Sequence, residues 1–259
     1  MEKLDINQKI NELKNDGITV LENQYTEKQC DTYISKFDKI INKFKISNVN
    51  LNNDCQLIRN PYRHNTELAN LIYNENVDNI LTTLIDENYI LVNSTIVNRQ
   101  VDKTVNNKGD NMGSTWHTDS HYVGGKRLDK GITYIAITLF DDFTESNGGT
   151  YYIPNSHLRR EIPNRTGYEN EQKSMQGKRG SVILFDGGMW HRGGLATEQR
   201  RWSMFSYYGP WFLKPYFNFP EMLGEKFGKE TSKELRRLFH YNSIPPIHED
   251  IRINTVTKE

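Results

Sequence analysis

The sequence contains no long apolar run. No stretch approaches the roughly 18 apolar residues that a membrane-spanning helix requires. The N-terminal segment MEKLDINQKINELKNDG is polar and charged, and it has no apolar region of the kind found in secretory signals. These two absences predict a soluble, cytoplasmic protein with no membrane partner.

Cysteine is scarce, with Cys30 and Cys55 the only two among 259 residues. Disulfides are unusual in cytoplasmic proteins, so we do not expect these two thiols to pair. Cys30 falls on the apolar face of a predicted helix, and this position favours a buried, inert thiol.

An excess of one charge sign is also missing, since 33 lysines and arginines balance 33 aspartates and glutamates. No overall field therefore attracts nucleic acid or an anionic membrane. Hydrophobic residues make up 36% of the chain, which is ordinary globular composition in a chain long enough to bury a substantial core. We expect a small-molecule substrate and no nucleic-acid partner.

The N-terminal part, about residues 1–88, is predicted to be mainly helical. The stretch 17–21 predicts a short strand, and Thr26 with Gln29 forms a capping-box pattern at the start of a helix. The apolar residues that follow recur at helical spacing. They are Cys30, Tyr33, Ile34, Phe37, Ile40, Ile41 and Phe44. A second helical region is predicted over 66–86.

From about residue 89 to 210 the pattern changes to short strands rich in β-branched and aromatic residues. The predicted strands lie near 89–101, 114–119, 132–140, 149–153, 180–185 and 201–209. Short strands without helices between them are typical of a β-sandwich or jelly roll. We expect one domain over 1–259, mainly β with flanking helices, in which the segment 211–259 caps the β core.

The stretch WHTDSH contains two residues that can share a metal. In an extended strand His117 and Asp119 point to the same side, and so present an imidazole and a carboxylate to one point. The best distant third ligand is His191, which follows a predicted strand and a Gly-Gly turn. Two histidines and one carboxylate leave adjacent coordination positions open, which suits Fe(II). Solvated surface residues are the alternative for any such triplet.

Ten residues beyond His191, the pattern Arg-x-Ser predicts an anion-binding position. A buried arginine is costly unless it meets an anion, and its planar fork matches a carboxylate. Arg201 and Ser203 share a strand face, so a dicarboxylate could bind iron at one end and Arg201 at the other. Arg200 competes for this role, and Arg201 pairing with a structural carboxylate is the further alternative.

The sequence resembles the phytanoyl-CoA dioxygenase-like family of Fe(II)/2-oxoglutarate oxygenases over roughly residues 15 to 210. The resemblance rests on HTD (117–119), LFDDFTESNGGTYYIPNSH (139–157), GSVILFDGGMWHRGG (180–194) and RRWSMFSYY (200–208). It implies a cupin-like double-stranded β-helix in which His117, Asp119 and His191 hold iron. It also implies that Arg201, helped by Ser203, binds 2-oxoglutarate.

The activity implied by the resemblance is a dioxygenase reaction. O₂ and 2-oxoglutarate are consumed, succinate and CO₂ are released, and a substrate C–H bond is oxidised. Hydroxylation is the expected outcome, with desaturation and ring formation as alternatives. Halogenating relatives have a small residue in place of the carboxylate ligand, so Asp119 makes halogenation an unfavoured outcome.

Two other functions remain open at this stage. One is the same chemistry on a protein side chain or a nucleobase, and the other is a non-catalytic, metal-binding cupin-like module. The substrate class is not fixed by the sequence, and we hypothesise a carboxylate- or amine-bearing metabolite of modest size. A CoA ester would require basic residues near the mouth, which Lys126, Arg127 and Lys130 could supply.

Several residues near the motifs have two interpretations. His121 and Tyr122 could face the substrate or take part in loop and packing contacts. His157 is expected to cap local backbone. Trp116 and Trp190 should face away from the metal, because each precedes a ligand. The aromatic run over 207–219 could close the barrel mouth, form a homodimer contact or belong to the core.

Overall fold

The structure is a computed structural model that describes residues 4–46, 48–49, 55–101, 115–119, 122–123, 126–127 and 132–244. For the short stretches 48–49, 122–123 and 126–127 only the backbone is described. The predictions made for His121 and Lys130 therefore lie outside the described residues, as do those for the side chains of Tyr122, Lys126 and Arg127.

Five α-helices flank the sheets in the described part of the chain. They are α1 (Ile6–Asp16), α2 (Glu27–Phe44), α3 (Glu75–Leu84), α4 (Phe219–Glu230) and α5 (Lys233–Leu238). Short 3-10 turns cover Pro61–Arg63, Thr66–Leu71 and Ser156–Leu158. No helix within these ranges combines the length and apolar character that a membrane crossing requires.

The strands form one large sheet and two small ones. The strands are β1 (Ile18–Leu21), β2 (Asn48–Val49), β3 (Cys55–Arg59), β4 (Ile90–Arg99), β5 (Tyr122–Val123), β6 (Lys126–Arg127), β7 (Tyr134–Leu139), β8 (Tyr151–Tyr152), β9 (Lys173–Ser174), β10 (Val182–Asp186), β11 (His191–Arg192) and β12 (Arg201–Gly209). The large sheet has the order β1-β10-β7-β12-β4-β3-β2, a smaller one has the order β11-β8-β9, and β5 pairs with β6. Every pairing between these strands is antiparallel.

The predicted start of α2 is confirmed. The Thr26 side chain accepts a hydrogen bond from the Gln29 backbone N–H, and the Gln29 side chain accepts one from the Thr26 N–H. This reciprocal arrangement satisfies two N–H groups that would otherwise lack partners at the helix start. Phe37 of this helix packs against Trp202 of β12, with ring centroids 5.4 Å apart. Cys30 on the same helix is buried and free, as expected.

Strand β12 divides the core in two, because its side chains alternate between the faces of the large sheet. Trp202 and Met204 pack with the helices in the larger apolar cluster. Phe205 and Tyr207 belong to a second cluster on the opposite face, together with residues of β7 and β10. The second cluster lies on the same face of the sheet as Arg201, so the alternation decides which side chains face the interior of the β-helix.

The N-terminal part contributes more strand than its helical pattern indicates. β1 pairs with β10 at one edge of the large sheet, while β3 pairs with β4 towards the other edge. The stretch around His117 forms less strand than predicted, with a single bridge to His191. Its neighbouring N–H groups bind carbonyls elsewhere: that of Trp116 binds Arg165 O at 3.3 Å, and that of Asp119 binds Gly187 O at 2.9 Å.

Candidate metal centre

His117, Asp119 and His191 come together at one point of the fold. Each can offer one ligand atom, and these atoms lie within 4.8 Å of one another. His191 Nε2 is 3.4 Å from Asp119 Oδ2, and the two imidazole centroids are 4.3 Å apart. The Asp119 side chain is 40% exposed whereas that of His191 is 7% exposed. The group therefore has one buried side and one side open to an incoming molecule.

Backbone hydrogen bonds hold the two histidines against each other. His117 N–H donates to His191 O and His191 N–H donates to His117 O, both at 3.0 Å. This pairing joins the segment around His117 to the start of β11, where His191 also pairs with Tyr152 of β8. The separation of the two histidines is thus fixed by the main chain, and their positions depend little on side-chain packing.

A tight turn after β10 positions both Asp119 and His191. Asp186 Oδ1 accepts the Gly188 N–H at 2.7 Å, and Asp186 O accepts the Met189 N–H at 2.9 Å. A Cβ atom at Gly187 would lie 2.4 Å from Thr133 Oγ1, so the close approach at this turn requires glycine. Since Gly187 O also accepts the Asp119 N–H, the turn positions the carboxylate as well as the histidine.

Both imidazole rings are oriented by a carbonyl two residues earlier in the chain. His117 Nδ1 lies 2.9 Å from Thr115 O, and His191 Nδ1 lies 2.9 Å from Met189 O. A carbonyl can only accept, so Nδ1 carries the proton in each ring and Nε2 presents its lone pair. Histidine ligands in metal sites are commonly held by such contacts. The rings are therefore arranged to bind a cation through Nε2.

The electrostatics of His117 and Asp119 favour the forms that bind metal, whereas those of His191 favour the protonated ring. Removal from water and the nearby His191 imidazole lower the pKa of His117, despite the opposite influence of Asp119. Removal from water acts to raise the pKa of Asp119, but the charge and hydrogen bond of His191 outweigh it and the pKa lies below its usual value. Burial lowers the pKa of His191, and the Asp119 carboxylate reverses this to a net increase. Asp119 is the anion of the group.

Arg201 and Ser203 lie on the same face of β12, as strand parity predicts. The Arg201 guanidinium donates to Ser203 Oγ at 2.8 Å and to the Gly148 carbonyl, and it stacks 3.8 Å above the centre of the Phe143 ring. The arginine is 2% exposed. Its Nε–H is buried and has no hydrogen-bond partner among the described residues. A buried cation with a spare donor is what a carboxylate ligand would complete.

The donor set fits the group that the sequence resemblance implies. Two neutral imidazoles and one carboxylate are a ligand set suited to Fe(II). The orphaned Nε–H of Arg201 and the Ser203 hydroxyl can receive an anion. Arg200, the competing candidate, is exposed. The roles of all these residues remain predictions, but their chemistry is consistent with iron and 2-oxoglutarate.

The neighbouring residues with two interpretations are now placed. Trp116 and Trp190 pack together with Ile153 in a small separate apolar cluster, in agreement with their predicted orientation. His157 is buried, and its Nε2 contacts Lys14 O at 3.3 Å, so it joins α1 to the β core and does not cap its own turn. Sequence reasoning placed Tyr207 in the aromatic run 207–219 but missed that its hydroxyl donates to Asp119 O. Only the long-range fold brings these two together.

The fold and the site define a class of protein. The sheet-rich core with flanking helices is a cupin-like jelly roll, as predicted, and two histidines with one carboxylate are the donor set of non-heme Fe(II) oxygenases. The model of the phytanoyl-CoA dioxygenase family matches residues 13–202. The chain therefore belongs to this family, and the resemblance seen in the sequence is confirmed.

Solved structures with the same fold have very different sequences. HygX from Streptomyces hygroscopicus, with nickel and 2-oxoglutarate bound, is 12% identical with a TM-score of 0.63, over 84% of this chain and 93% of HygX. SnoK, a non-heme alpha-ketoglutarate-dependent carbocyclase from nogalamycin biosynthesis, is 13% identical with a TM-score of 0.62, over 81% of this chain and 85% of SnoK.

Curated relatives match over a shorter range. Uncharacterised proteins of Mycobacterium bovis and Mycobacterium tuberculosis are each 28% identical over 104 residues, which is 40% of this chain and 38% of each relative. The matched segment thus spans about two fifths of the length of these relatives.

Proposed function

We propose that the protein is an Fe(II)/2-oxoglutarate-dependent dioxygenase that oxidises a C–H bond of a small molecule. The observation that carries the proposal is the convergence of His117, Asp119 and His191, with both Nε2 atoms directed by backbone carbonyls. Membership of the phytanoyl-CoA dioxygenase family supports the same chemistry.

Different residues of the chain hold the iron, bind the co-substrate and exclude water. His117, Asp119 and His191 hold the iron, and the open side next to Asp119 leaves room for the co-substrate. Arg201 and Ser203 bind the distal carboxylate of 2-oxoglutarate. When bound, the iron supplies the activation of O₂ that couples decarboxylation of the co-substrate to oxidation of the substrate. Buried apolar residues such as Phe185, whose ring centroid is 5.2 Å from that of His191, keep water from the buried side of the site.

Hydroxylation is the simplest outcome, and an intact carboxylate at Asp119 supports it over halogenation. Ring formation is the main alternative, since SnoK is a carbocyclase with the same fold. HygX has been crystallised with hygromycin B, which supports a small metabolite as the substrate here too. A modest metabolite that bears a carboxylate or an amine is the substrate we propose. Protein side chains and nucleobases are the competing substrates, and the neutral net charge argues against the second.

An anaerobic titration of the apo-protein with Fe(II) and then 2-oxoglutarate tests the proposal. The chelated co-substrate should produce a weak visible charge-transfer band. His117→Ala and His191→Ala are the control variants, and the band should vanish in both. Turnover is then measured as succinate release against panels of metabolites, peptides and oligonucleotides.

Each outcome has a different meaning. Bound iron without the band would contradict the proposal and favour a non-catalytic, metal-binding cupin-like module. A band with turnover on peptides or oligonucleotides alone would retain the chemistry and overturn the substrate class. A band that survives in both histidine variants would mean that the metal is bound elsewhere.

A further inference from the structure

Three residues on adjacent strands form a row across the large sheet. Arg99 at the end of β4 pairs directly with Arg201 of β12 on one side and with Cys55 of β3 on the other. Residues directly opposite each other in antiparallel strands project from the same face, with Cβ atoms about 4.5–5.5 Å apart. The side chain of Arg99 therefore leaves the sheet beside that of Arg201, on the interior face.

Both arginines converge on one backbone segment. The Arg201 guanidinium donates to the carbonyl of Gly148, and a Cβ atom at Gly148 would lie 3.0 Å from Cγ of Arg99. Gly148 has a φ of +83°, a conformation that favours glycine, and the absence of a side chain keeps this corner open. The two arginine side chains thus lie side by side against the main chain of Gly148.

Two buried guanidinium groups side by side form a strongly cationic position. Arg99 is 7% exposed and Arg201 is 2% exposed. Burial and then the charge of Arg99 lower the pKa of Arg201. Like charges removed from water repel strongly, and a carboxylate between them would convert repulsion into two charge-assisted contacts. Arg99 has further contacts of its own, and only its place beside Arg201 matters here.

We infer that Arg99 is a second anchor for the distal carboxylate of 2-oxoglutarate. Arg201 supplies one guanidinium and Ser203 a hydroxyl, while Arg99 supplies a second guanidinium from the neighbouring strand. This inference rests on the proposed function, because it assigns a further residue to the same co-substrate. A pocket with two cations selects a dicarboxylate 2-oxo acid over a monocarboxylate one more strongly than a pocket with one cation.

Anaerobic binding of two 2-oxo acids to the Fe(II)-loaded protein tests the inference. One is 2-oxoglutarate and the other is 2-oxobutyrate, which lacks the distal carboxylate. Arg99→Met should raise the dissociation constant for 2-oxoglutarate roughly 10- to 100-fold, the range for a charged hydrogen bond. The same variant should leave 2-oxobutyrate binding and Fe(II) affinity unchanged. Arg59→Met is the matched control, since Arg59 is an exposed arginine on β3.

The outcomes separate this inference from the proposed function. No 2-oxoglutarate binding by the wild-type protein would overturn the proposed function and the inference with it. Binding that is lost in Arg201→Met and unchanged in Arg99→Met would overturn the inference alone. An equal loss for both 2-oxo acids would assign Arg99 a purely structural role. If Arg99→Met does not fold, Arg99→Gln, which also removes the charge, is measured instead, and unchanged selectivity between the two acids in that variant would also overturn the inference.

Discussion

Replacing Tyr207 by phenylalanine removes one hydroxyl that reaches the backbone of the proposed carboxylate ligand. The Tyr207 hydroxyl donates to Asp119 O, in a segment that has little strand pairing of its own. Loss of this partly buried hydrogen bond should lower the free energy of unfolding by about 1 kcal/mol. In a chain of this size that corresponds to a decrease in Tm of roughly 2–4 °C.

The more diagnostic effect of Tyr207→Phe should be on the affinity for Fe(II). Without the hydrogen bond to its carbonyl, Asp119 is free to move its carboxylate away from the two imidazoles. Loss of a hydrogen bond that orients a metal ligand costs ~10-fold in metal affinity. The Fe(II) dissociation constant of Tyr207→Phe, measured anaerobically, should therefore rise about that much.

The next residue supplies the matched control. The Tyr208 hydroxyl donates to Ile72 O at 2.7 Å on the helical side of the sheet. Tyr208→Phe should therefore lower the Tm by a similar amount and leave Fe(II) affinity unchanged. Equal Fe(II) affinity in the two variants would refute the view that Tyr207 positions Asp119.

Three further predictions concern the ligand, the turn and a buried histidine. Asp119→Ala should weaken Fe(II) binding by at least roughly 100-fold, since losing a ligand costs more than losing an outer contact; an unchanged anaerobic titration would rule this ligand out. Gly187→Ala places Cβ against Thr133 Oγ1 and should cost about 1–3 kcal/mol in urea unfolding, and full stability would show that the turn can relax. Burial lowers the pKa of His240 below its usual value although its Nε2 meets Leu91 O. The unfolded chain then binds the extra proton first, so stability should fall as pH decreases below about 6.5. His240→Asn, which suits the positive φ there, should show a shallower decline in urea unfolding between pH 7 and 5.5; an identical decline would exclude His240 as the cause.

The sequence was most informative where local patterns are strong. The bounds predicted for the last strand, 201–209, match β12, whose side chains alternate between two largely buried faces. The same alternation placed Arg201 and Ser203 together. The capping box at Thr26 depends on residues three apart, so it too could be identified without knowledge of the fold.

Long-range pairing explains what could not be predicted. β3 lies in a stretch whose polar residues hide its pairing with β4, and β9 and β11, which were not predicted either, are two residues each. No local pattern identifies strands this short, because their hydrogen bonds come from partners far away in the chain. The juxtaposition of Arg99 with Arg201 has the same origin, since it depends on the register between β4 and β12.

The mutual pairing of His117 and His191 has a consequence for how the chain resists unfolding. A metal ion held by both would bind the folded chain and not the unfolded one, and would thereby stabilise the contact between distant parts of the sequence. Stability would then rise with the logarithm of free metal concentration. Backbone hydrogen bonds already join the two segments there, so the metal would bind to a site that is already formed. It could therefore exchange without the surrounding β-helix coming apart.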